Sequence, residues 1–205
     1  MCVCATHQVD PSLNQLVNQS SITVLRIIKF AKRLEEFVRL PQECQIGILK
    51  GCWIHMLLLR SVSAYDNERD LWVTARGEIP TDILKNATGF DRLHDLHVKY
   101  CKSIRDIIKD DLTIVVLLIV TALFAPEGPH VITRELVSNI QDKYLVLLKH
   151  YLESKYMYGR AAEMFPQLMS KMKELKELAE DHGKYLLDVN PNEIEPIMLE
   201  ILDLK

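Results

Sequence analysis

Residues 112–125, LTIVVLLIVTALFA, are the greasiest run in this chain. Fourteen residues make only about 21 Å of helix, short of the roughly 30 Å hydrocarbon core of a bilayer. A helix this apolar and this short is a core helix, not a membrane span. The remaining sequence has the pattern to surround it, because apolar residues recur at spacings of three and four almost throughout, while Gly and Pro cluster in a few places. The fold class read from this pattern is all-α.

The spacing predicts one long helix over 12–39, ending before Pro41, and a second over 43–64. Positions 46–59 of the second are apolar around most of the circumference, so this should be the central buried helix. The helical pattern breaks over 68–79, where charged Glu68, Arg69 and Asp70 precede Leu71, Trp72, Val73 and Thr74 and Gly77 marks a turn; a small two-stranded hairpin fits. Pro80 restarts a helix through Lys85, followed by helices over 89–108, 112–125, 132–156 and 157–187. In the last of these, Leu168, Met172, Leu175, Ala179, His182 and Leu186 alternate at four and three, a seam either buried within its own domain or forming a dimer face.

The chain has 205 residues, 48% of them hydrophobic, and a mean hydropathy near zero, enough for one sizeable core and one domain over 1–205. A net charge of −3 argues against this piece gripping DNA, which needs concentrated Lys and Arg, so any DNA contact belongs elsewhere in the parent protein. Cys2, Cys4, Cys44, Cys52 and Cys101 are scattered, without paired C-x2-C units, and read as reduced thiols. The start, MCVCATHQ, lacks the basic and apolar regions of a secretory signal. The tripeptides at Asn18 and Asn86 fit a glycosylation sequon that is inert inside the cell. Catalytic glycine motifs are absent, and His94 and His97, one turn apart beside Asp91 and Asp95, lack a third well-spaced metal ligand. They are expected on a solvated helix face, and no enzyme is expected.

The chain end constrains function most. Over 195–204, EPIMLEILDL, a helix would place Ile197, Met198, Ile201 and Leu202 on one stripe with Glu200 at its edge, and Pro196 suits its first turn. Such a short, greasy helix must dock. A carboxylate beside an apolar face can cap the free N–H groups at the start of a partner helix, and such a receptor needs a cation at the other end.

Upstream, Phe30-Ala31-Lys32, Phe37, Leu40, Cys44-Gln45 and Ile48-Leu49-Lys50 complete a pattern that resembles the nuclear-receptor ligand-binding domain. The resemblance implies a layered helical fold with a small β-hairpin. It also implies a clamp on a leucine-rich coactivator helix from Lys32 and Glu200, with Phe37, Ile46, Leu49, Lys50 and Leu199 around the groove. Leu59-Arg60-Ser61, Asp70 to Thr74, Ala125 to Pro129 and LKELAEDH over 175–182 look like the vitamin D receptor subgroup. LWVTARGEIP and the chain ending look most like its invertebrate branch, including the nematode dauer-signalling steroid receptors.

On that resemblance the ligand-binding residues are Thr23, Arg26, Arg60, Trp72, Thr74, Phe90 and His182. Arg60 alone needs either a ligand acceptor or a salt bridge to Asp66 or Glu68, because an unpaired guanidinium at the end of an apolar helix is costly. Four departures stand out: Phe90 replaces a second ligand histidine, His55 replaces a glutamate, Cys44 replaces Asp or Ser, and the family's first helix is missing before residue 12. The implied ligand is a steroid-like lipid, preferably an acid, with no cofactor. The implied partners are the coactivator helix and a retinoid-X-type receptor, with no membrane contact and a nuclear location. The alternative is a ligand-free helical interaction scaffold.

Overall fold

The computed structural model describes residues 12–204 apart from Ala75, Arg76 and Pro129. Cys2, Cys4 and the last residue of the predicted 125–129 turn lie outside the described residues. Helix α1 (Leu13–Ala31) opens on a capping box: the Ser12 hydroxyl accepts from Gln15 N–H at 3.4 Å, and the Gln15 side chain accepts from Ser12 N–H at 2.9 Å. It does not run on to residue 39. Tight turns, Arg33 N–H to Phe30 O and Leu34 N–H to Ala31 O, close it, and Leu34 goes extended before a single turn, α2 (Glu35–Val38). The break re-aims the chain so that Phe37 and Leu40 enter the core, which a continuous helix would not allow.

Helix α3 (Gln42–Ala64) leads into a three-stranded antiparallel sheet of β1 (Tyr65–Asp66), β2 (Leu71–Thr74) and β3 (Gly77–Pro80). The predicted hairpin is there, with Trp72 opposite both Tyr65 and Ile79, and β1 adds an edge. The Asp66 carboxylate accepts from the amides of Glu68 and Arg69 at 3.0 and 3.1 Å and so shapes the β1–β2 turn. Pro80 ends a strand instead of starting a helix. Helix α4 begins at Ile83 and ends at Thr88, where Gly89, at φ 74°, takes the left-handed conformation that closes it.

Helices α5 (Asp91–Ile108), α6 (Leu112–Leu123), α7 (Arg134–Lys155) and α8 (Tyr158–Tyr185) follow, then two 3-10 turns and the terminal α9 (Pro196–Ile201). Helix α3 is central as expected: it packs on α1, α5, α6, α8 and α9. It passes through two core clusters. One joins Leu58, Leu59 and Trp72 to Ile104, Leu118, Leu168 and Leu175; the other joins Ile48 and Trp53 to Val24, Phe37, Leu123, Met198 and Ile201. Among the described residues α3 is the one helix long and apolar enough to cross a membrane, and this core role accounts for its composition.

The α8 seam belongs to the first cluster. Leu168 and Leu175 are fully buried and Ala179 nearly so, on a helix that packs against α5, α7 and α3 within the same chain. The dimer-face reading is therefore corrected for Leu168, Leu175 and Ala179, which are already covered, while Met172, His182 and Leu186 are half-buried. On α3, Gly47 and Gly51 receive the loop after α6. A Cβ on Gly47 would stand 2.1 Å from the His130 carbonyl oxygen, and one on Gly51 would stand 3.4 Å from Gly128 Cα.

Candidate functional site

Two adjoining cavities lie between α1, α3 and the sheet. The inner one, about 210 Å³, is walled by Leu16 and Val17 of α1, Trp53 and Leu57 of α3, Trp72, and the α4, α5 and α8 side chains Leu84, Leu93 and His182. The outer one, about 560 Å³, shares Leu16, Gln19, Ser20 and Ile79 with it and is otherwise lined by Thr23, Arg26, Arg60, Ser63, Val73 and Thr74 among others. The predicted ligand residues thus divide by chemistry: Thr23, Arg26, Arg60 and Thr74 face the outer chamber, Trp72 and His182 the inner one.

Phe90 lines neither. It is 46% exposed at the start of α5, with its ring stacked obliquely on Tyr185 at 4.4 Å between centroids. Tyr185 lines the inner cavity, so Phe90 stands behind the wall and its assignment as a ligand contact is corrected.

The salt bridge that could have neutralised Arg60 is not made. Asp66 is engaged by backbone amides, and Arg69 pairs with Glu78 at 2.6 Å. Among the described residues neither Arg60 nor Arg26 has an ion-pair partner. Both arginines are exposed at the cavity mouth, and partial burial, with the like charge of Arg26 after it, pushes Arg60 below its ordinary pKa.

The inner chamber has a polar corner that the sequence reading missed. His97, expected on a solvated face, is buried; its ring lies 5.2 Å from Trp72 and 5.1 Å from His182, and its Nε2 is 2.7 Å from Ser61 Oγ. The reason is helical register: Leu93, His97, Cys101, Ile104 and Ile108 form the buried stripe of α5, while Asp91, Arg92 and Asp95 face solvent. His94 is also largely covered, its side chain 15% exposed, with Nδ1 3.0 Å from Asp95.

Helix α9 is docked on α1 and α3, with Met198 and Ile201 buried and Leu199 half-buried. Polar contacts fasten it. Lys50 Nζ bonds the Asp203 carboxylate and lies 3.5 Å from Glu200, while His130 Nε2 is 3.1 Å from Asp203. The hydrogen bond from Lys50 holds Asp203 below the usual carboxylate range, and the same bond raises Lys50. Lys50 is thus engaged by the terminal helix itself. Of the residues expected around a coactivator groove, Phe37 is wholly buried, while Ile46, 41% exposed, and Lys32 face solvent; among the described residues Lys32 makes no ion pair. Where the resemblance implies a glutamate stands His55, half-buried on α3, its pKa lowered mainly by burial. Cys44 Sγ instead meets Thr133 Oγ1 at 3.1 Å.

A second fastening was not anticipated. Asn14 and Asn18, one turn apart on α1, hold the segment ahead of α9: Asn14 donates to the Glu193 carboxylate at 2.6 Å, Asn18 donates to the Glu193 carbonyl at 2.8 Å, and Glu195 N–H donates to Asn18 Oδ1 at 2.8 Å. The Asn18 amide, read in sequence only as part of a sequon, caps the terminal helix. The i, i+4 pair of asparagines was the signal for it.

A sequence profile described as the ligand-binding domain of nuclear hormone receptor matches residues 12–187. The chain is 33% identical over 201 residues to nuclear hormone receptor HR96 of Drosophila melanogaster, covering 96% of this chain and 28% of that protein. It is 30% identical over 189 residues to thyroid hormone receptor beta of Danio rerio, covering 88% of this chain and 46% of the relative. It is 27% identical over 198 residues to nuclear receptor subfamily 1 group I member 2 of Rattus norvegicus, covering 95% and 45%. All three are receptors and not enzymes, and the chain spans less than half the length of each.

Proposed function

We propose that this chain, which belongs to the nuclear hormone receptor ligand-binding-domain family, senses an acidic sterol-like lipid and converts its binding into recruitment of a leucine-rich coactivator helix. One observation carries the ligand class: Arg26 and Arg60 open onto a cavity without a carboxylate to neutralise them. An anionic ligand end supplies that charge, through hydrogen bonds about twice as strong as neutral ones. The adjoining apolar chamber then takes the hydrocarbon body. Open volume at both ends favours a ligand-regulated receptor over a scaffold with a filled pocket.

Recruitment follows from the terminal helix. With α9 fastened, Glu200 stands at one edge of an apolar face and Lys32 is the solvent-facing cation of the other, so a short amphipathic helix is held at its two ends. Ligand binding favours the docked state only by as much as the ligand prefers it. The parent protein acts in this reading as a nuclear transcription factor that touches DNA through another domain. The likeness to a Drosophila melanogaster receptor supports the invertebrate placement, and the steroid class rests on the cavity alone. Pairing with a retinoid-X-type receptor would use a surface other than the α8 seam; Leu136, Val146 and Leu147 of α7 are exposed and available.

The test compares a sterol carboxylic acid with its methyl ester. The wild type should prefer the acid by roughly tenfold or more, about 1.4 kcal/mol, and Arg60→Met should remove most of that preference. Equal binding of acid and ester by the wild type overturns the reading.

A further inference from the structure

The charges on and after α1 are lopsided. Between Ser12 and Leu34 the chain carries Arg26, Lys29, Lys32 and Arg33 and no Asp or Glu, although its net charge is −3. All four are exposed. Among the described residues none of them makes an ion pair, and the next carboxylates along the chain, Glu35 and Glu36, are taken by Arg39 and Lys143. Helical register sets these cations beside the cavity mouth. Gln19, Ile22, Thr23 and Arg26 line the outer chamber, Lys29 lies one turn beyond Arg26 on the same side, and Arg33 follows in the turn that closes the helix. Across the opening, Arg60 of α3 is a fifth exposed cation. Hydrocarbon stands among them: Leu25 is 53% exposed, and Val73 of β2, which also lines the chamber, 47%. Asp66, Glu68 and Asp110 share a neighbouring cleft beyond Val73 with Arg105, and these carboxylates bound the cationic face.

We propose that this face docks on an anionic phospholipid surface, so that the mouth of the outer cavity opens against the bilayer. Anionic headgroups supply the counter-charge that the five cations lack, through an attraction that reaches about 8 Å at physiological salt. Leu25 and Val73 then enter the interfacial layer among the headgroups. A lipid passing through such an opening keeps its hydrocarbon body out of water on the way into the domain. An acidic protein would answer the charges and leave the exposed hydrocarbon at the mouth without a role. The contact is with a surface and is not a span, and it reverses the expectation of no membrane contact. Lys32 belongs both to this face and to the proposed coactivator clamp, so a domain held on a bilayer does not recruit the peptide: it loads there and signals after release. That the cavity takes a lipid rests on the function proposed above; the docking of the cationic face does not.

The test is co-sedimentation of the chain with vesicles of phosphatidylcholine alone and with vesicles in which roughly a third of the lipid is phosphatidylserine. Binding should be confined to the anionic vesicles and should fall as salt is added. Lys29→Glu with Arg33→Glu, two positions outside both the cavity lining and the clamp, should weaken it by about tenfold or more while melting and sterol-acid binding in solution stay as in the wild type. In Leu25→Trp the added indole should be quenched by lipids brominated near the headgroup, which places this face against the bilayer. Equal binding to the two vesicle types, or none to either, overturns the inference, a comparison that needs no variant to fold. So does vesicle binding that survives in the folded double variant. If soluble polyglutamate displaces the chain from the vesicles and the added indole is not quenched, the face belongs to an acidic protein and the inference falls. Anionic-vesicle binding without preference for the sterol acid over its ester removes the acid reading and leaves this one standing; the preference without vesicle binding does the reverse.

Discussion

The two ends of α3 are closed in different ways. Around its second half, the core against α5, α6 and α8 is almost entirely hydrocarbon, with Leu168, Leu175, Leu118 and Ile104 fully buried. Around its first half, α9 covers a second core but is also tied by named polar contacts: Lys50 to Asp203, His130 to Asp203, and Asn14 and Asn18 to the 190–195 segment. Hydrocarbon packing releases only when the fold does, whereas a few hydrogen bonds at a chain end can open singly. The first region determines whether the domain exists; in the proposed function the second determines what it presents to a partner.

The largest effect that would test this division is Leu175→Ala, which should cost about 3 kcal/mol of global stability, with Leu175→Glu costing more. Denaturant unfolding measures it. A Leu175→Glu protein that stayed folded as a monomer would mean the seam is a surface after all. Next comes Asn18→Ala, which removes two hydrogen bonds and should destabilise the terminal segment by about 1–2 kcal/mol while the melting of the α5–α8 core is hardly moved. Amide exchange should quicken in Glu195–Ile201 and not in α8; uniform quickening would erase the contrast.

A smaller effect concerns acid. On α2, Glu36 bonds Lys143 and, at 3.0 Å, Tyr144 of α7; the bond from Lys143, ahead of the other causes, holds its carboxyl down to about 2 from 4.5. Its contribution is present in full above about pH 4.5 and fades as the pH falls through 2. Glu36→Gln should flatten the stability profile between those values, and an unchanged profile would remove the α2–α7 tie from the account. The smallest effect on stability should come from Glu200→Ala: near-native melting with loss of binding to a leucine-rich peptide, read by fluorescence polarisation. Retained peptide binding would break the clamp.

The helices were legible because a spacing of three and four is a property of short windows, and the last helix was placed one residue early at its start and three late at its end relative to α9. The break after Ala31 was not, because the amphipathic pattern continues across Lys32–Leu34 and only the demand to bury Phe37 shows that the chain must turn. Arg26, Arg60 and Thr74 line one cavity although 34 positions in sequence separate Arg26 from Arg60, a proximity that local spacing alone does not carry. His97 was misplaced because its acidic neighbours were read instead of its register with Leu93 and Cys101. The seam residues show the converse: heptad-like spacing says that a face is covered and leaves open whether the cover is the same chain or another.

Gly47 links these regions through a space one carbon wide. Because it has no side chain, the backbone at His130 can lie against α3, and from there His130 reaches Asp203 at the end of the terminal helix. An added methyl would collide with a carbonyl oxygen and displace a loop none of whose described residues lines either cavity. Variation at position 47 would then work as a gain control: the receptor would sense the same lipid at the same concentration and answer it with a weaker output.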